Sequence, residues 1–180
     1  MSFAPAAFVL TSNGDPASLF MDLLQHVPAI VNPIQSILMA YILLCVPQVL
    51  RVALSACQPS EKGGYDNVNP RVQVDRLSKI SPMVGRLQAC HMNGFESLQV
   101  WSAGVILAVV TGVDAQFTSK VATIYILARV VFTVFYVLGA FTLLSAVRSG
   151  AWILSTYCCM LLIGMAAAKK GEVLTVPFLS

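Results

Sequence analysis

Charged residues are scarce in this chain: of its 180 residues, 11% are charged and 57% are hydrophobic. The mean hydropathy is +0.78, which lies outside the range of soluble globular proteins and inside that of membrane proteins. The net charge of +3 is small, and the basic residues are not gathered in a stripe, so no nucleic-acid partner is expected. The composition therefore predicts an all-α integral membrane protein with lipid as its first partner.

Several motifs of catalytic and metal sites are also missing. The five cysteines show neither metal-ligand spacing nor a disulfide framework, and we interpret them as small buried residues. There is no nucleophile elbow and no glycine-rich phosphate loop. No lysine or arginine precedes Arg51, so no signal peptide with a basic head is visible. These absences argue against most soluble-enzyme chemistry and predict no metal site.

Four apolar stretches are long enough to cross a hydrocarbon core, which needs roughly 20 helical residues. We predict helices at about 33–54, 84–112, 117–147 and 150–168, which together form a four-helix bundle over residues 33–168. Asn32-Pro33 supplies a start signal for the first of these helices. Pro47 removes one backbone hydrogen bond inside it and should bend it.

The segments outside the four helices differ in character. Residues 1–32 are predicted to be an N-terminal extension with an interfacial helix, and residues 169–180 a C-terminal tail. The connection 55–83 gathers charged residues around proline and glycine, which predicts a polar surface loop and a partly ordered lid. The loop and its flanks carry five basic residues and the third connection adds Arg148, against Lys120, Lys169 and Lys170 on the other side. The positive-inside rule therefore places this loop in the cytosol and both termini across the membrane. The organelle stays open, with the endoplasmic reticulum or another internal membrane as candidates.

Polar residues on the second and third predicted helices form two stripes. Arg86, Ala89, Asn93 and Glu96 are spaced by three, four and three residues and share one helix face. A charged side chain at the bilayer centre costs about 2.5–3.5 kcal/mol, so we expect these groups to face the interior or a polar cleft and to pair there. The alternative is structural: Arg86 and Glu96 pair with each other or with the third helix and hold the bundle together.

The third helix carries the second stripe, with Arg129, Thr133 and Tyr136 at helical spacing. Together the arginines and Glu96 could bind a small zwitterion, because arginine holds carboxylates in a bidentate manner and a carboxylate holds an ammonium. His91 points away from Asn93, and a packing or interfacial role is favoured over proton transfer.

The motifs, taken in order, resemble a known membrane family. Asn69-Pro70-Arg71, Gly85-Arg86-x-x-Ala89-Cys90-His91-x-Asn93-x-x-Glu96, Arg129-x-x-x-Thr133-x-x-Tyr136 and Arg148-Ser149 are similar to the MAPEG family, the membrane-associated proteins in eicosanoid and glutathione metabolism. The resemblance covers roughly residues 33–168. It implies a homotrimer of four-helix subunits, with glutathione bound between neighbouring subunits and lipophilic substrates entering from the bilayer.

The resemblance also implies roles for individual residues. Arg148 would be the catalytic arginine that stabilises the glutathione thiolate. The residues expected to bind glutathione are Arg71, Arg86, Asn93, Glu96, Arg129 and Tyr136.

One departure from the family pattern concerns Ala89. The eicosanoid synthases have an arginine at this position, one turn before the asparagine, whereas this chain keeps Arg86 one turn earlier, as the microbial-type branch does. The resemblance favours an enzyme, a glutathione-dependent transferase or peroxidase acting on lipophilic electrophiles in the membrane. The alternatives are a non-catalytic, lipid-binding family member and a structural subunit of a larger membrane complex.

Overall fold

The computed structural model describes residues 16–57, 68–139 and 142–174, and within these ranges the chain is helical and has no strand. Asp15 and residues 61–66, which include three charged side chains of the predicted lid, lie outside the described residues. The helices are α1 (Pro16–His26), α2 (Pro33–Ala56), α3 (Pro70–Ile80), α4 (Pro82–Val110), α5 (Ala115–Leu138) and α6 (Thr142–Leu174).

Local sequence signals account for the helix starts. Proline occupies the first position of α2, α3 and α4. A backbone N–H at this position would form no hydrogen bond within the helix, so its absence in proline costs nothing. The side chain of Asn32 accepts hydrogen bonds from the backbone N–H groups of Ile34 and Gln35, at 3.0 and 3.2 Å. Asp114 accepts one from Phe117 at 2.7 Å. Both are N-cap interactions, which satisfy donors that a helix start leaves open.

Three stretches of helix are long and apolar enough to cross a membrane: Pro33–Ala56, Ala115–Leu138 and Leu144–Lys170. They confirm a membrane protein. The helix α4, which was predicted as a further span, has 29 residues but is not among them, because the polar residues in its first half lower its hydropathy. It packs along α2, α5 and α6, so the polar half of α4 lies against apolar helices.

The predicted boundary between the last two helices is wrong. The apolar run through residues 117–147 predicted a single helix, but α5 ends at Leu138 and α6 begins at Thr142. At Gly139 the backbone leaves the helical conformation with a ψ of 83°, and a Cβ there would collide with the carbonyl oxygen of Phe135. The glycine therefore ends α5 at a position that hydropathy does not reveal. As a consequence Arg148 lies in the second turn of α6, not ahead of it.

The connection between α2 and α4 contains a helix that was not predicted from the sequence, since α3 occupies residues 70–80 of it. Val74 and Leu77 are buried against α4, while Arg71, Asp75 and Lys79 are exposed. This amphipathic pattern is that of a helix packed by one face only.

The helix α1 lies against its own chain. The ring of Phe20 meets that of Tyr157 edge-on at 4.8 Å, and Leu24 is buried in the same core. Beyond the helix, the backbone N–H groups of Ile30 and Val31 both donate to the hydroxyl of Thr123, at 3.3 and 3.1 Å. The N-terminal segment is thus tied to α5 and α6. Leu19 and Leu23 of α1 are exposed.

A close approach between α2 and α4 depends on Gly94. A Cβ built on this residue would lie 2.8 Å from the Cβ of Leu44, closer than two carbon atoms tolerate. Small residues at such crossings allow membrane helices to pack backbone to backbone.

We expect Gly94→Ala to destabilise the fold, because overpacking costs about 1–3 kcal/mol and outweighs the gain of about 1 kcal/mol in helix propensity. Gly164→Ala is the matched control, since a Cβ there meets nothing within 4 Å. Thermal unfolding in detergent should give a lower midpoint for Gly94→Ala than for Gly164→Ala. Equal midpoints would contradict the proposed close packing.

Candidate functional site

The central polar contact joins α5 to α4. Arg129 is buried, with 4% of its surface exposed, and its Nη1 donates to Oδ1 of Asn93 at 3.1 Å. Its guanidinium also lies 4.3 Å from the centre of the Phe132 ring. A guanidinium has five N–H donors, and no carboxylate in the described part of the chain forms an ion pair with it. Arg129 is therefore a buried cation that retains capacity for an anion.

A second arginine lies on the same side of α5. The guanidinium of Arg148 stacks 4.5 Å above the centre of the Tyr136 ring and donates from Nη2 to the hydroxyl of Ser145 at 3.0 Å. The Tyr136 and Phe132 rings meet edge-on at 5.2 Å, so the two aromatic rings connect the two arginines. Cys90 is buried against Phe132 and Ala151 in the same cluster. We call Asn93, Arg129, Tyr136 and Arg148 the arginine cluster.

The cavity beside the arginine cluster is small. A cavity of about 10 Å³ lies beside Arg129, and it has room for about one water molecule. Its lining consists of Ala40, Leu43, Leu44, Cys90, Gly94, Tyr125, Arg129 and Thr133. A tripeptide cannot enter it, so a ligand of that size would have to reach the arginine cluster from the outer surface of the chain.

The predicted stripe on α4 is not brought together in the interior. Asn93 contacts Arg129, but Glu96 and Ala89 are exposed. Arg86 donates to the sulfur of Met83 at 3.5 Å, and its buried Nε has no hydrogen-bond partner in the structure. Arg86 and Glu96 are ten residues apart, about 15 Å along the helix. The expected pairing of these two charges is absent from the described residues.

Two other sequence predictions concern His91 and Arg71. The Nδ1 of His91 lies 2.9 Å from the carbonyl oxygen of Leu44. Because a carbonyl only accepts, this nitrogen carries the proton, and the imidazole links α4 to α2 in the packing role we favoured. Arg71 lies exposed in the first turn of α3, outside the arginine cluster.

The sequence did not reveal a buried network beside the cluster. The indole of Trp101 stacks on the ring of Tyr125 at 3.8 Å and donates to the hydroxyl of Ser36 at 3.0 Å. The hydroxyl groups of Tyr125 and Ser97 are 3.0 Å apart. In the sequence, Trp101 lies in an apolar run and is interpreted as a core residue. Only the antiparallel packing of α2 against α4 shows which serine its indole contacts. This network holds α5 against α4 one turn from Arg129.

The described residues contain no group of three or more His, Cys, Asp or Glu side chains that could hold a metal ion.

The relationship of the chain to known proteins follows from a family model: the model of the MAPEG family matches residues 35–168. The chain belongs to the MAPEG family. Comparison with curated proteins and with solved structures gives no match. The matched range begins after α1, so the arginine cluster lies inside it and the N-terminal helix outside it.

Proposed function

We propose that this MAPEG protein is a glutathione-dependent transferase or peroxidase that acts on lipophilic electrophiles dissolved in the membrane. The observation that carries the proposal is the arginine cluster: in a chain of this family, a buried Arg129 bonded to Asn93 lies beside a second arginine on an aromatic ring. Both cations lack a carboxylate partner among the described residues. Such groups suit an anionic ligand with two carboxylates and a thiol.

The roles divide by position within the cluster. Arg129 and Asn93 would bind the peptide portion of glutathione, since a charge-assisted hydrogen bond from arginine to a carboxylate is both strong and directional. Arg148, held over the Tyr136 ring, would stabilise the thiolate. A positive group placed where negative charge develops lowers the barrier without reorganising during the reaction. Arg71 and Arg86, on the outer surface and at the start of α4, would complete the binding site.

We propose that the functional form is a homotrimer of four-helix subunits, in which α4 is the fourth span. Glu96 supports this: it is exposed on the single chain and lies fourteen residues from either end of α4. A carboxylate facing lipid at that depth costs about 2.5–3.5 kcal/mol. A neighbouring subunit that covers Glu96 removes this cost and adds a second wall to a ligand site too large for the cavity of one chain.

The exposed Ala89 favours a second candidate, a non-catalytic member of the family that binds lipid. Without an arginine at this position, one contact to glutathione is lost, while Arg86 keeps the pattern of the microbial-type branch. A lipid-binding protein needs only an apolar groove between subunits, and it would leave Arg148 without a catalytic role. The extra helix α1 fits the third possibility, a subunit of a larger membrane complex.

We also propose the orientation that the basic residues predict, with α3 on the cytosolic side of an internal membrane. The described residues from Arg51 to Arg86 contain five basic side chains and one acidic side chain. The positive-inside rule associates such an excess with the cytosolic face.

Glutathione binding to the detergent-purified protein tests the proposal directly. Titration calorimetry should give saturable binding, and Arg129→Gln should weaken it by a factor of about 10–150, since hydrogen bonds to charged groups contribute about 1.5–3 kcal/mol. Lys120→Gln is the matched control, because it removes the same charge from α5 more than two turns away. No binding by the wild-type protein at millimolar glutathione would overturn the transferase assignment and leave the lipid-binding candidate.

A further inference from the structure

The end of the helical bundle that contains α3 has an excess of positive charge. The described residues there carry Arg51, Arg71, Arg76, Lys79 and Arg86 against a single acidic residue, Asp75. At the opposite end the charges are mixed, with Asp22 and Asp114 beside Lys120, Lys169 and Lys170. The asymmetry is therefore a property of one end and not of the whole chain.

Two of these arginines lie at the same depth in the bundle. The helices α2 and α4 are antiparallel, because Trp101 donates to Ser36 and His91 to the carbonyl of Leu44. Arg51 follows Leu44 by seven residues on α2, and counting back about seven residues from His91 reaches the first turns of α4. Arg51 therefore lies level with these turns, where Arg86 is found.

Neither of these arginines has a carboxylate partner among the described residues. Arg51 is 5% exposed, and within the described ranges its Nε donates to the side-chain oxygen of Gln48 at 3.2 Å. The Nε of Arg86 is buried without a hydrogen-bond acceptor. Burying a charge without a partner of opposite sign is costly, so an anion near Arg51 would offset that cost.

The helix α3 brings further positive charge to this position. A Cβ built on Gly85 would lie 3.4 Å from the Cβ of Ser78, so the last turn of α3 packs next to Arg86. Lys79 follows Ser78 and is exposed. On the same outer face Val72 is 68% exposed. Basic residues mixed with an exposed apolar residue at the end of a span match the boundary between headgroups and acyl chains.

We propose that this basic end, formed by the last turns of α2, by α3 and by the first turns of α4, binds the headgroup of an acidic phospholipid. The phosphate lies near Lys79, with Arg51 behind it, and the acyl chains follow the exposed apolar surface of the spans. Arg86 stays with the glutathione site proposed above. Charge complementarity selects an anionic over a zwitterionic headgroup, and the adjoining spans select a lipid over a soluble anion.

Thermal unfolding of the full-length protein in neutral detergent, with added phosphatidylglycerol or phosphatidylcholine, tests the proposal. Phosphatidylglycerol should raise the unfolding midpoint more than phosphatidylcholine does. The double variant Arg76→Gln/Lys79→Gln changes two exposed side chains of α3 that lie outside the proposed glutathione site, and it should require at least about tenfold more phosphatidylglycerol for the same increase. Lys169→Gln/Lys170→Gln, with the same charge change at the opposite end, should behave as the wild-type protein.

Other results would overturn the proposal. Equal midpoints with the two lipids would show that the headgroup charge is not recognised. An equal loss in both double variants would show a general effect of net charge. If glycerol 3-phosphate alone gave the full increase, the site would bind a soluble anion, and if glutathione abolished the lipid effect, the basic residues would belong to the glutathione site.

Discussion

Replacing Arg148 by alanine is expected to lower the rate of glutathione conjugation by a factor of about 10²–10³, the usual effect of removing one group that stabilises developing negative charge. Arg148 is held in place by the Tyr136 ring and by Ser145, so its guanidinium is preorganised. Alanine removes the positive charge and leaves Arg129 and Asn93 unchanged. The rate can be followed with a lipophilic aryl halide, and the oligomeric state by size-exclusion chromatography.

The matched control for this prediction is Ser145→Ala. It removes the hydrogen bond that helps to fix the Arg148 guanidinium but leaves the charge and the aromatic ring, and a smaller decrease is expected. In Arg148→Ala the affinity for glutathione and the oligomeric state should be nearly unchanged, because the peptide contacts lie on α4 and α5. An unchanged rate in Arg148→Ala would remove this residue from the catalytic role.

Most of the long apolar helices could be predicted from hydropathy and capping residues, and the family from short motifs, because both are local properties of the sequence. The start of α2 at Asn32-Pro33 is an example. The end of α5 at Gly139 could not be predicted, since the residues on both sides are apolar. The carbonyl oxygen of Phe135 leaves no room for a Cβ at this position, and a pattern of hydropathy does not contain that constraint.

The candidate site was predictable in part. Spacing identified Asn93, Arg129 and Tyr136 as residues of polar stripes, and the structure joins Asn93 to Arg129. Spacing also suggested an interior position for Glu96, but the structure exposes it. The stripe of α4 that contains Asn93 and Glu96 is about 100° wide, and α5 packs against only one of its edges. Residues at the packed edge are buried, and residues at the other edge are exposed. Among the described residues, nothing buries the other edge at Glu96.

That uncovered edge is the basis of the prediction for Glu96. We expect Glu96→Ala to weaken glutathione binding and trimer assembly together. In the proposed trimer this carboxylate pairs with a cation of the neighbouring subunit or with the ammonium of glutathione, and its loss leaves the partner charge buried. Breaking a buried pair costs about 3–5 kcal/mol, which corresponds to a factor of at least about 100 in an equilibrium constant.

The comparison that tests this prediction uses Gln99→Ala, because Gln99 is also exposed, one turn further along the same face of α4, and carries no charge. Mass photometry in detergent measures assembly, and calorimetry measures glutathione binding, for both variants. If Glu96→Ala weakens assembly and Gln99→Ala does not, the charge is buried between subunits. If Glu96→Ala changes neither quantity, the carboxylate faces water or lipid headgroups, and α4 then lies differently in the membrane from the fourth span we propose.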